Sequence, residues 1–537
     1  MNPTRRDFLT YLGLGTYSLL RSCPLVAAPF PLKNRSKAKP SFFSPIAPSG
    51  LDTLVLPKGF KSQILASRGD QLSVKGPFGN ETFGDDNDFL AFFPLDALTT
   101  NRNTEEGLLW VNHEAMNPLL VSGYSAQTKR TVEQIQIEKL AVGGSILHVR
   151  REKGIWKRVP DSSFTKRITS LYPDFAVTGP VSESIPVAKG TLGNCSGGKT
   201  LWNTVLSCEE NYDNFNQDYG WGKFKETTID ENQYGWVVEV DPFGELPPQK
   251  HSALGRFMHE NAAMTVGKSG KLVVYMGDDT EDQFFYKFVS KERYVASQSR
   301  AEKRKLLTEG TLYAADFEKG RWIALDIERN QDLKAAGFSS QAQVLLECRR
   351  AAKAAKATPV DRPEDCEVHP KDGSIYIAFT NNKNHGNLYG QIVRLVESKD
   401  DSEAETFRYE IFLAGGPQSG LSCPDNLCFD KNANLWVACD ISAKYIGSGA
   451  YEIFGNNGLF YVPTSGNLSG NAYQFASAPK EAELTGPWFT EKGDTLFLSV
   501  QHPGEKSSSL SSLNSHWPMG GTEPPKSSVV AITGFSY

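Results

Sequence analysis

Beyond its N-terminal segment, the 537-residue chain lacks any run of about 20 apolar residues, the length that a helix needs to span a bilayer. It also lacks an excess of basic residues, since 57 Lys and Arg stand against 62 Asp and Glu, a net charge of −5. These absences argue against stable membrane insertion and against nucleic acid as a partner. With 39% hydrophobic residues the chain can still bury a large core, as two to four average domains or as one large repeat fold.

Several widespread catalytic motifs are missing as well. There is no Gly-x-x-x-x-Gly-Lys-Ser/Thr loop for a nucleoside triphosphate, and no Gly-x-Ser-x-Gly elbow with plausible partners for a serine hydrolase. His259 and Glu260 are not followed by the second histidine of a zinc-protease helix, and Gly267 with Gly270 favours a turn there. The sequence therefore supports neither nucleotide-driven motors nor these two classes of hydrolase.

The N-terminus has the features of an export signal. Arg5-Arg6 precedes a modest apolar stretch, and Val26-Ala27-Ala28 offers the small residues that suit a signal peptidase. We predict a twin-arginine signal peptide over residues 1–28, an extended lead-in over 29–50 and a single catalytic domain over 51–537. The mature protein is thus expected in the periplasm or outside the cell, with the twin-arginine export machinery as a partner during export.

The cysteines form an odd set once Cys23 has left with the signal peptide. Seven remain, so at least one has no partner within a monomer. Such a thiol is either a small buried hydrophobe or a metal ligand. The best candidate ligand is Cys195, in Asn194-Cys195-Ser196-Gly197-Gly198, because small residues and glycines let the backbone approach a bound group. Glu210 follows fifteen residues later, close enough for one structural unit to present both side chains.

A short apolar segment that ends in polar residues recurs along the chain. Each copy is rich in β-branched and aromatic residues and is bounded by turn formers, which predicts a β-strand. The copies are residues 107–111, 204–207, 271–275, 374–379, 434–438 and 495–500. Several follow an acidic or Gly-Pro segment, such as Pro424-Asp425-Asn426. The repeat predicts an all-β fold, a six-bladed β-propeller with inserted helices and loops, although another large β fold would also contain such strands.

The radial arrangement of such a propeller has an electrostatic consequence. The strand ends and acidic segments would meet at one mouth of the central channel and gather Glu114, Glu210, Glu260, Asp279, Glu364, Asp425 and Asp440. So many carboxylates cannot stay ionised in one pocket without cations that offset their repulsion and desolvation. The sequence therefore predicts multivalent metal ions. Arg362 lies beside these groups and either grips two phosphate oxygens or serves only as an ion-pair partner.

Segments outside the repeat are assigned more simply. Residues 343–357 are predicted to form one helix that ends before Pro359, and residues 301–307 a shorter helix. Residues 507–526, rich in Ser, Gly and Pro, are predicted to form a surface loop.

Taken together, the motifs resemble the PhoX family of alkaline phosphatases. The matching segments occur in order over nearly the whole mature chain. They are the twin-arginine signal, 112–114, 193–198, 208–211, 259–262, 277–279, 286–289, 361–365, 424–426 and 501–504. The resemblance implies a six-bladed propeller, ferric iron together with calcium, and hydrolysis of phosphate monoesters outside the cytoplasm.

The resemblance also implies roles for individual residues. The implied metal ligands are Cys195, Glu114, Glu210, Glu260, Asp279, Glu364 and Asp425. Among them Cys195 resembles an iron ligand, and Glu260 with Glu364 resembles further iron or bridging ligands, whereas the others resemble calcium and bridging carboxylates. The implied catalytic residues are Arg362, which would contact the phosphate, together with Cys195 and Glu260.

Two other functions fit part of the sequence. A calcium-dependent lactonase or phosphotriesterase on a propeller typically needs one calcium and no thiolate, so the Cys195 segment argues against it. A non-catalytic calcium-binding propeller would use the acidic loops only for structure. For the phosphatase, we expect small phosphate esters as substrates and a monomeric protein.

Overall fold

The computed structural model describes residues 39–99 and 104–536. The predicted signal peptide, residues 1–28, lies outside the described residues. Strands dominate the described chain, which confirms the mostly β class. Within these residues, no helix combines the length and the apolar character that crossing a bilayer requires.

Most strands belong to six sheets that follow one another along the chain. They are preceded by β1 (Lys61–Ser67) and by the hairpin of β2 (Gln71–Gly76) and β3 (Gly79–Thr82). Sheet 1 contains β4 (Asn87–Pro94), β5 (Glu106–His113), β6 (Gly143–Glu152), β7 (Ile155–Arg158) and β8 (Lys166–Ile168). Sheet 2 contains β9 (Asp174–Thr178), β10 (Val187–Lys189), β11 (Asn194–Lys199), β12 (Val205–Glu209), β13 (Val237–Val240) and β14 (Gln249–His251).

The second half of the chain continues the series. Sheet 3 contains β15 (Ala263–Val266), β16 (Lys271–Gly277), β18 (Phe285–Arg293), β19 (Gly310–Asp316) and β20 (Arg321–Ala324), while β17 (Glu281–Gln283) pairs with β21 (Val360–Asp361). Sheet 4 contains β22 (Pro363–Val368), β23 (Ile375–Phe379), β24 (Gln391–Glu397) and β25 (Phe407–Ala414). Sheet 5 contains β26 (Pro424–Phe429), β27 (Leu435–Cys439), β28 (Gly458–Val462) and β29 (Tyr473–Ser477). Sheet 6 contains β30 (Glu483–Phe489), β31 (Thr495–Gln501), β32 (Ser528–Thr533) and the early strand β1.

The six predicted strands all form: β5, β12, β16, β23, β27 and β31. Each pairs with the strand directly before it in the chain, and we call the earlier strand of such a pair the first strand of its sheet and the predicted one the second strand. The acidic segments ahead of them lead into or form the first strands, which are β4, β11, β15, β22, β26 and β30. Each first strand contacts the first strand of the next sheet, and β30 contacts β4. The first strands therefore form a closed ring of contacts.

The apolar core lies between successive sheets. Leu272 and Val274 of β16 pack in a cluster shared with sheet 2, whereas Val273 and Tyr275 pack in a cluster shared with sheet 4. This alternation explains why the second strands are almost continuously apolar: both faces of each strand are buried. Further clusters join sheets 4 and 5, 5 and 6, 6 and 1, and 1 and 2. The pairing of β1 with β32 holds the two ends of the described chain in one sheet.

The helices are short and lie between strands. They span Pro118–Val121, Val132–Ala141, Asn214–Gln217, Arg300–Lys303, Gln331–Ala335, Gln341–Leu346 and Cys348–Ala354. The single helix predicted over 343–357 is wrong in one respect, because the backbone leaves the helical region at Glu347 (φ −112°, ψ 45°) and divides it in two. Each part buries its own apolar side chains, Val344 and Leu345 in the first and Cys348 with two alanines in the second. The segment 507–526 contains no named helix or strand, as predicted.

Sheet 2 contains an ion pair that is completely removed from solvent. Lys250 Nζ lies 2.6 Å from Glu209 Oε1, and both side chains are 0% exposed. Burial raises the pKa of Glu209 and lowers that of Lys250, each against the opposing effect of its partner. Thr191 Oγ1 and the Trp236 backbone N–H complete the bonding of the carboxylate, at 2.7 and 3.1 Å.

Lys250→Ala is expected to lower the free energy of unfolding by about 3–5 kcal/mol, because it leaves the Glu209 carboxylate buried without its cation. Denaturant titration followed by tryptophan fluorescence measures the change. The matched control is Lys291→Ala, which removes a lysine from a solvent-exposed pair with Glu309 and should leave the transition unchanged. Equal effects of the two variants would contradict the assignment.

Candidate metal centre

Seven acidic or thiol side chains meet in three overlapping groups, and the ligand atoms within each group lie within 4.8 Å of one another. The groups are Asp88, Glu114 and Cys195; Cys195, Glu210 and Glu260; and Glu260, Glu364 and Asp425. Cys195 Sγ lies 3.1 Å from Asp88 Oδ2 and 3.1 Å from Glu260 Oε2. Cys195 and Glu260 each belong to two groups, so the three form one continuous cluster.

A repeated backbone feature positions five of these side chains. In sheet 1, Asn87 pairs with His113 and Leu90 pairs with Val111. Two residues of β4 therefore lie between these pairs, opposite a single residue of β5. The extra residue is a β-bulge, which bends a strand and redirects a side chain. The same register shift occurs at the corresponding place in each of the other five sheets. The bulges carry Asp88, Cys195, Glu260, Glu364 and Asp425, and in sheet 6 Gly486.

The remaining two members come from the ends of second strands. Glu114 follows β5 and Glu210 follows β12 directly. Gln501 Nε2 donates to Glu114 Oε2 at 2.7 Å, and Asn211 Nδ2 donates to Glu210 Oε1 at 2.7 Å. The cluster thus combines bulge residues of the first strands with residues that leave the neighbouring second strands.

The residue at the bulge of sheet 6 is a glycine, Gly486, and the atoms around it explain why. Gly486 has φ +54°, and a Cβ there would lie 2.6 Å from the Asp88 carbonyl oxygen and 2.7 Å from the Leu90 nitrogen. Both the left-handed backbone and the close approach of β4 require glycine at this position. The bulge of sheet 6 therefore contributes no side chain to the cluster.

The carboxylates of the cluster are strongly destabilised as anions. Burial and the nearby charges of Glu364 and Glu210 raise the pKa of Glu260. Burial and Asp279 raise the pKa of Glu210 and of Glu364, and burial with Asp88 raises that of the Cys195 thiol. These shifts in pKa have two causes, first the loss of hydration on burial and second the repulsion between like charges.

The donor set fits bound cations. Asp88 Oδ1 is buried and has no hydrogen-bond partner, and no Lys or Arg within the described residues forms an ion pair with Cys195, Glu210 or Glu260. Carboxylate oxygens are ligands for hard cations such as calcium, and a thiolate favours a transition metal. The residues present therefore satisfy the electrostatic and chemical requirements of a multimetal site.

Arg362 bounds the cluster on the sheet 4 side. Its guanidinium donates to Asp279 Oδ1 and Oδ2 at 2.8 and 2.7 Å, and lies 2.8 Å from Glu364 Oε1 and 3.2 Å from Asp440 Oδ2. The side chain is 23% exposed, and its backbone is left-handed (φ +51°). Asp279 is thus held by Arg362 rather than placed in one of the three groups.

The residues predicted from the sequence fall into two sets, those inside the cluster and those beside it. Cys195, Glu114, Glu210, Glu260, Glu364 and Asp425 come together, and Asp279 and Arg362 lie beside them. The neighbouring histidines are not part of the cluster: His113 contacts the Asp85 carbonyl and Ser145, and His259 contacts the Gly255 carbonyl. Burial lowers the pKa of His259 to about 3.

Asp88 is the cluster member that sequence reasoning missed. It stands in Asp85-Asp86-Asn87-Asp88, an acidic segment whose last two residues begin β4, just as Pro424-Asp425-Asn426 begins β26. The signal was therefore the same one that identified the other acidic segments, an acidic segment ahead of a predicted strand, but here a longer stretch separates it from the predicted strand 107–111. The seven cysteines within the described residues are all free of disulfides, Cys195 included.

Comparison with known proteins gives a family and a close structural relative. The family model of alkaline phosphatase PhoX matches residues 41–504. The solved structure of Pseudomonas fluorescens PhoX in complex with vanadate, a transition state analogue, is 31% identical, has a TM-score of 0.81, and is matched over 91% of this chain and 97% of that chain.

More distant structures are similar at a much lower level. A gluconolactonase from Xanthomonas campestris is 10% identical with a TM-score of 0.32, over 92% of this chain and 98% of that chain. A putative glucose dehydrogenase from Thermus thermophilus is 14% identical with a TM-score of 0.35, over 88% of this chain and 100% of that chain. No curated protein sequence matches significantly.

Removal of cations is expected to destabilise the protein, because the buried carboxylates then face one another without compensation. A cation at about a hundred times its Kd stabilises a fold by about 2.7 kcal/mol, so a chelator should lower the midpoint of thermal unfolding by several degrees. Re-addition of the removed cations should restore it. The control is the same chelator saturated with calcium beforehand, and an unchanged midpoint after chelation would contradict a metal-filled cluster.

Proposed function

The chain belongs to the PhoX family of alkaline phosphatases, and from this membership we propose that its buried cluster holds iron and calcium and hydrolyses phosphate monoesters. The observation that carries the proposal is the thiol of Cys195 beside the buried carboxylates of Glu210 and Glu260, with which no lysine or arginine of the described residues forms an ion pair. The enzyme is a phosphatase; the metal identities and the preference for monoesters are the proposed parts.

We propose that the six sheets are the blades of a β-propeller. The ring of contacts among the first strands and the apolar clusters between successive sheets support this arrangement. In such a propeller the first strands line the central channel, and the bulge residues would point to its mouth. The single domain over residues 51–537 follows from the same arrangement.

In the proposed site, Cys195 and Glu260 would hold iron, with Glu364 as a further or bridging ligand. Glu114, Glu210 and Asp425 supply hard oxygen donors that suit calcium, and Asp279 would join them or stay with Arg362. When bound, the metal ions supply Lewis-acid stabilisation of the charge that develops on the phosphoryl oxygens.

The role of Arg362 follows from its geometry. Its guanidinium is partly exposed while Asp279, Glu364 and Asp440 hold it in place. Three of its five N–H groups donate to Asp279 and Asp440, and the other two could bind oxygens of a phosphate. Preorganised donors of this kind stabilise the transition state without reorganisation, and the proposal needs no serine, threonine or histidine nucleophile.

We also propose export by the twin-arginine route and action in the periplasm or outside the cell, as a monomer. The Arg5-Arg6 pair and the small residues before Ala28 support export. The substrates proposed are small phosphate esters available in that compartment.

Cys195→Ala is expected to lower phosphatase activity on nitrophenyl phosphate by at least roughly 100-fold and to reduce bound iron, since loss even of a group that only orients a metal ligand costs up to about 100-fold. Elemental analysis and the assay are run on the same sample. Cys428→Ala, at a half-buried cysteine outside the cluster, serves as the matched control. Full activity with full iron content in Cys195→Ala would refute the proposed site, and turnover of a lactone instead of the ester would favour the alternative hydrolase.

Arg362→Lys keeps the positive charge but loses the planar fork, so kcat is expected to fall by about 100-fold. Steady-state kinetics separate this effect from KM. Arg350→Lys, which alters an exposed arginine paired with Glu347, should behave as the wild type. Unchanged kcat in Arg362→Lys would remove the arginine from the proposed mechanism.

A further inference from the structure

The bulge that carries Cys195 leaves two backbone carbonyls outside the strand ladder. Asn194 pairs with Glu209 and Gly197 pairs with Ser207, so Cys195 and Ser196 have no paired residue on β12. Buried carbonyls without a partner are costly. Their hydrogen bonds must therefore come from outside sheet 2.

Asn112, the penultimate residue of β5 in sheet 1, supplies both hydrogen bonds. Its Nδ2 donates to the Cys195 carbonyl oxygen at 2.6 Å and to the Ser196 carbonyl oxygen at 2.9 Å. The side-chain amide has two N–H donors, and this arrangement uses both. A single side chain thus holds both carbonyls that the bulge leaves outside the ladder.

The orientation of this amide is fixed from its other side. Asn112 Oδ1 accepts from Trp110 Nε1 at 2.6 Å and from Ser207 Oγ at 2.7 Å, and the residue is 0% exposed. All four hydrogen-bonding positions of the amide are therefore occupied. A flipped amide would place its oxygen against two carbonyls and its nitrogen against the Trp110 Nε1 donor, so only one orientation is compatible with the surroundings.

Similar bonds cross between other sheets, which shows that the feature is systematic. Asn261 Nδ2 donates to the Cys366 carbonyl oxygen at 2.6 Å, and the Gly486 backbone N–H donates to Asn426 Oδ1 at 2.6 Å. Ser499 Oγ donates to the Asp88 carbonyl oxygen at 2.7 Å. Asn112 is the member of this set that acts on the thiol-bearing bulge.

We propose that Asn112 is a positioning residue for the metal ligand Cys195: it holds the bulge of β11 so that the sulfur lies between Asp88 and Glu260. The inference rests on the proposed metal binding. Metal–ligand distances are tolerated only within about 0.2 Å of their ideal values, so a small movement of the Cys195 backbone would displace the sulfur from a productive distance. Asn112 does not touch substrate and acts only through Cys195.

The test is Asn112→Asp, which keeps the shape of the side chain but places carboxylate oxygens against the two carbonyls. On the metal-loaded protein, we expect iron affinity to fall by about 10- to 100-fold, as for other groups that orient a metal ligand, and the thiolate-to-metal absorption band to weaken. On the chelated protein, we expect faster alkylation of Cys195 by iodoacetamide relative to the other six described cysteines, measured by peptide mass spectrometry.

Asn456→Asp is the matched control, since this buried amide also donates to two backbone carbonyls, those of Leu51 and Ala478, and lies outside the cluster. It should keep the wild-type iron affinity and alkylation pattern. If Asn112→Asp does not fold, Asn112→Ala is measured in the same way. Wild-type affinity and unchanged Cys195 alkylation in the folded variant would overturn the proposal, as would loss of folding in both variants, because the role assigned to Asn112 is local.

The two readouts separate this inference from the proposed function. If the wild-type protein binds no iron, the proposed metal centre fails, and with it the positioning role for a ligand. If the wild-type protein binds iron and only the variant comparison fails, the metal centre stands and Asn112 has no part in positioning Cys195.

Discussion

The structure depends on one electrostatic constraint: carboxylates and a thiol share a single buried cluster with few positive side chains. Glu260 is 0% exposed and belongs to two of the three groups. Anions that are crowded away from water repel one another and lose hydration, and both effects disfavour their charged forms. Multivalent cations resolve the conflict, so the same groups that would weaken an empty fold become the reason for its metal chemistry.

Repetition of one backbone irregularity places these groups. Each of the six sheets has an extra residue in its first strand, and five of the six extra positions carry a member of the cluster. A regular strand would alternate its side chains between two buried sheet interfaces, as Leu272 and Val273 do. The bulge takes one residue out of this alternation, and cross-sheet hydrogen bonds such as those of Asn112 satisfy the backbone groups that it frees.

Buried charges elsewhere in the molecule show the contrast with the cluster. Lys250 neutralises Glu209 at 2.6 Å. Glu239 bonds to His251 and Arg304; burial raises its pKa, but the hydrogen bond and charge of His251 and the charge of Arg304 bring it to about 2. These carboxylates are satisfied by protein groups and can only stabilise the fold. In the cluster, Arg362 contacts Glu364, but no lysine or arginine of the described residues forms an ion pair with Cys195, Glu210 or Glu260, whose charges are left for metal ions to balance.

The sequence by itself determined the strand content, the six second strands, and the acidic and thiol residue types of the site, because β-branched runs and turn residues act over a few neighbouring positions. It also indicated the family through the order of the motifs. Only the tertiary structure decided which groups meet: Asp88 joins Cys195 across 107 positions of the chain, and Asp279 is held by Arg362. It alone divided the helix at Glu347 and aligned the bulges, because register between strands and contacts between sheets depend on segments far apart in the chain.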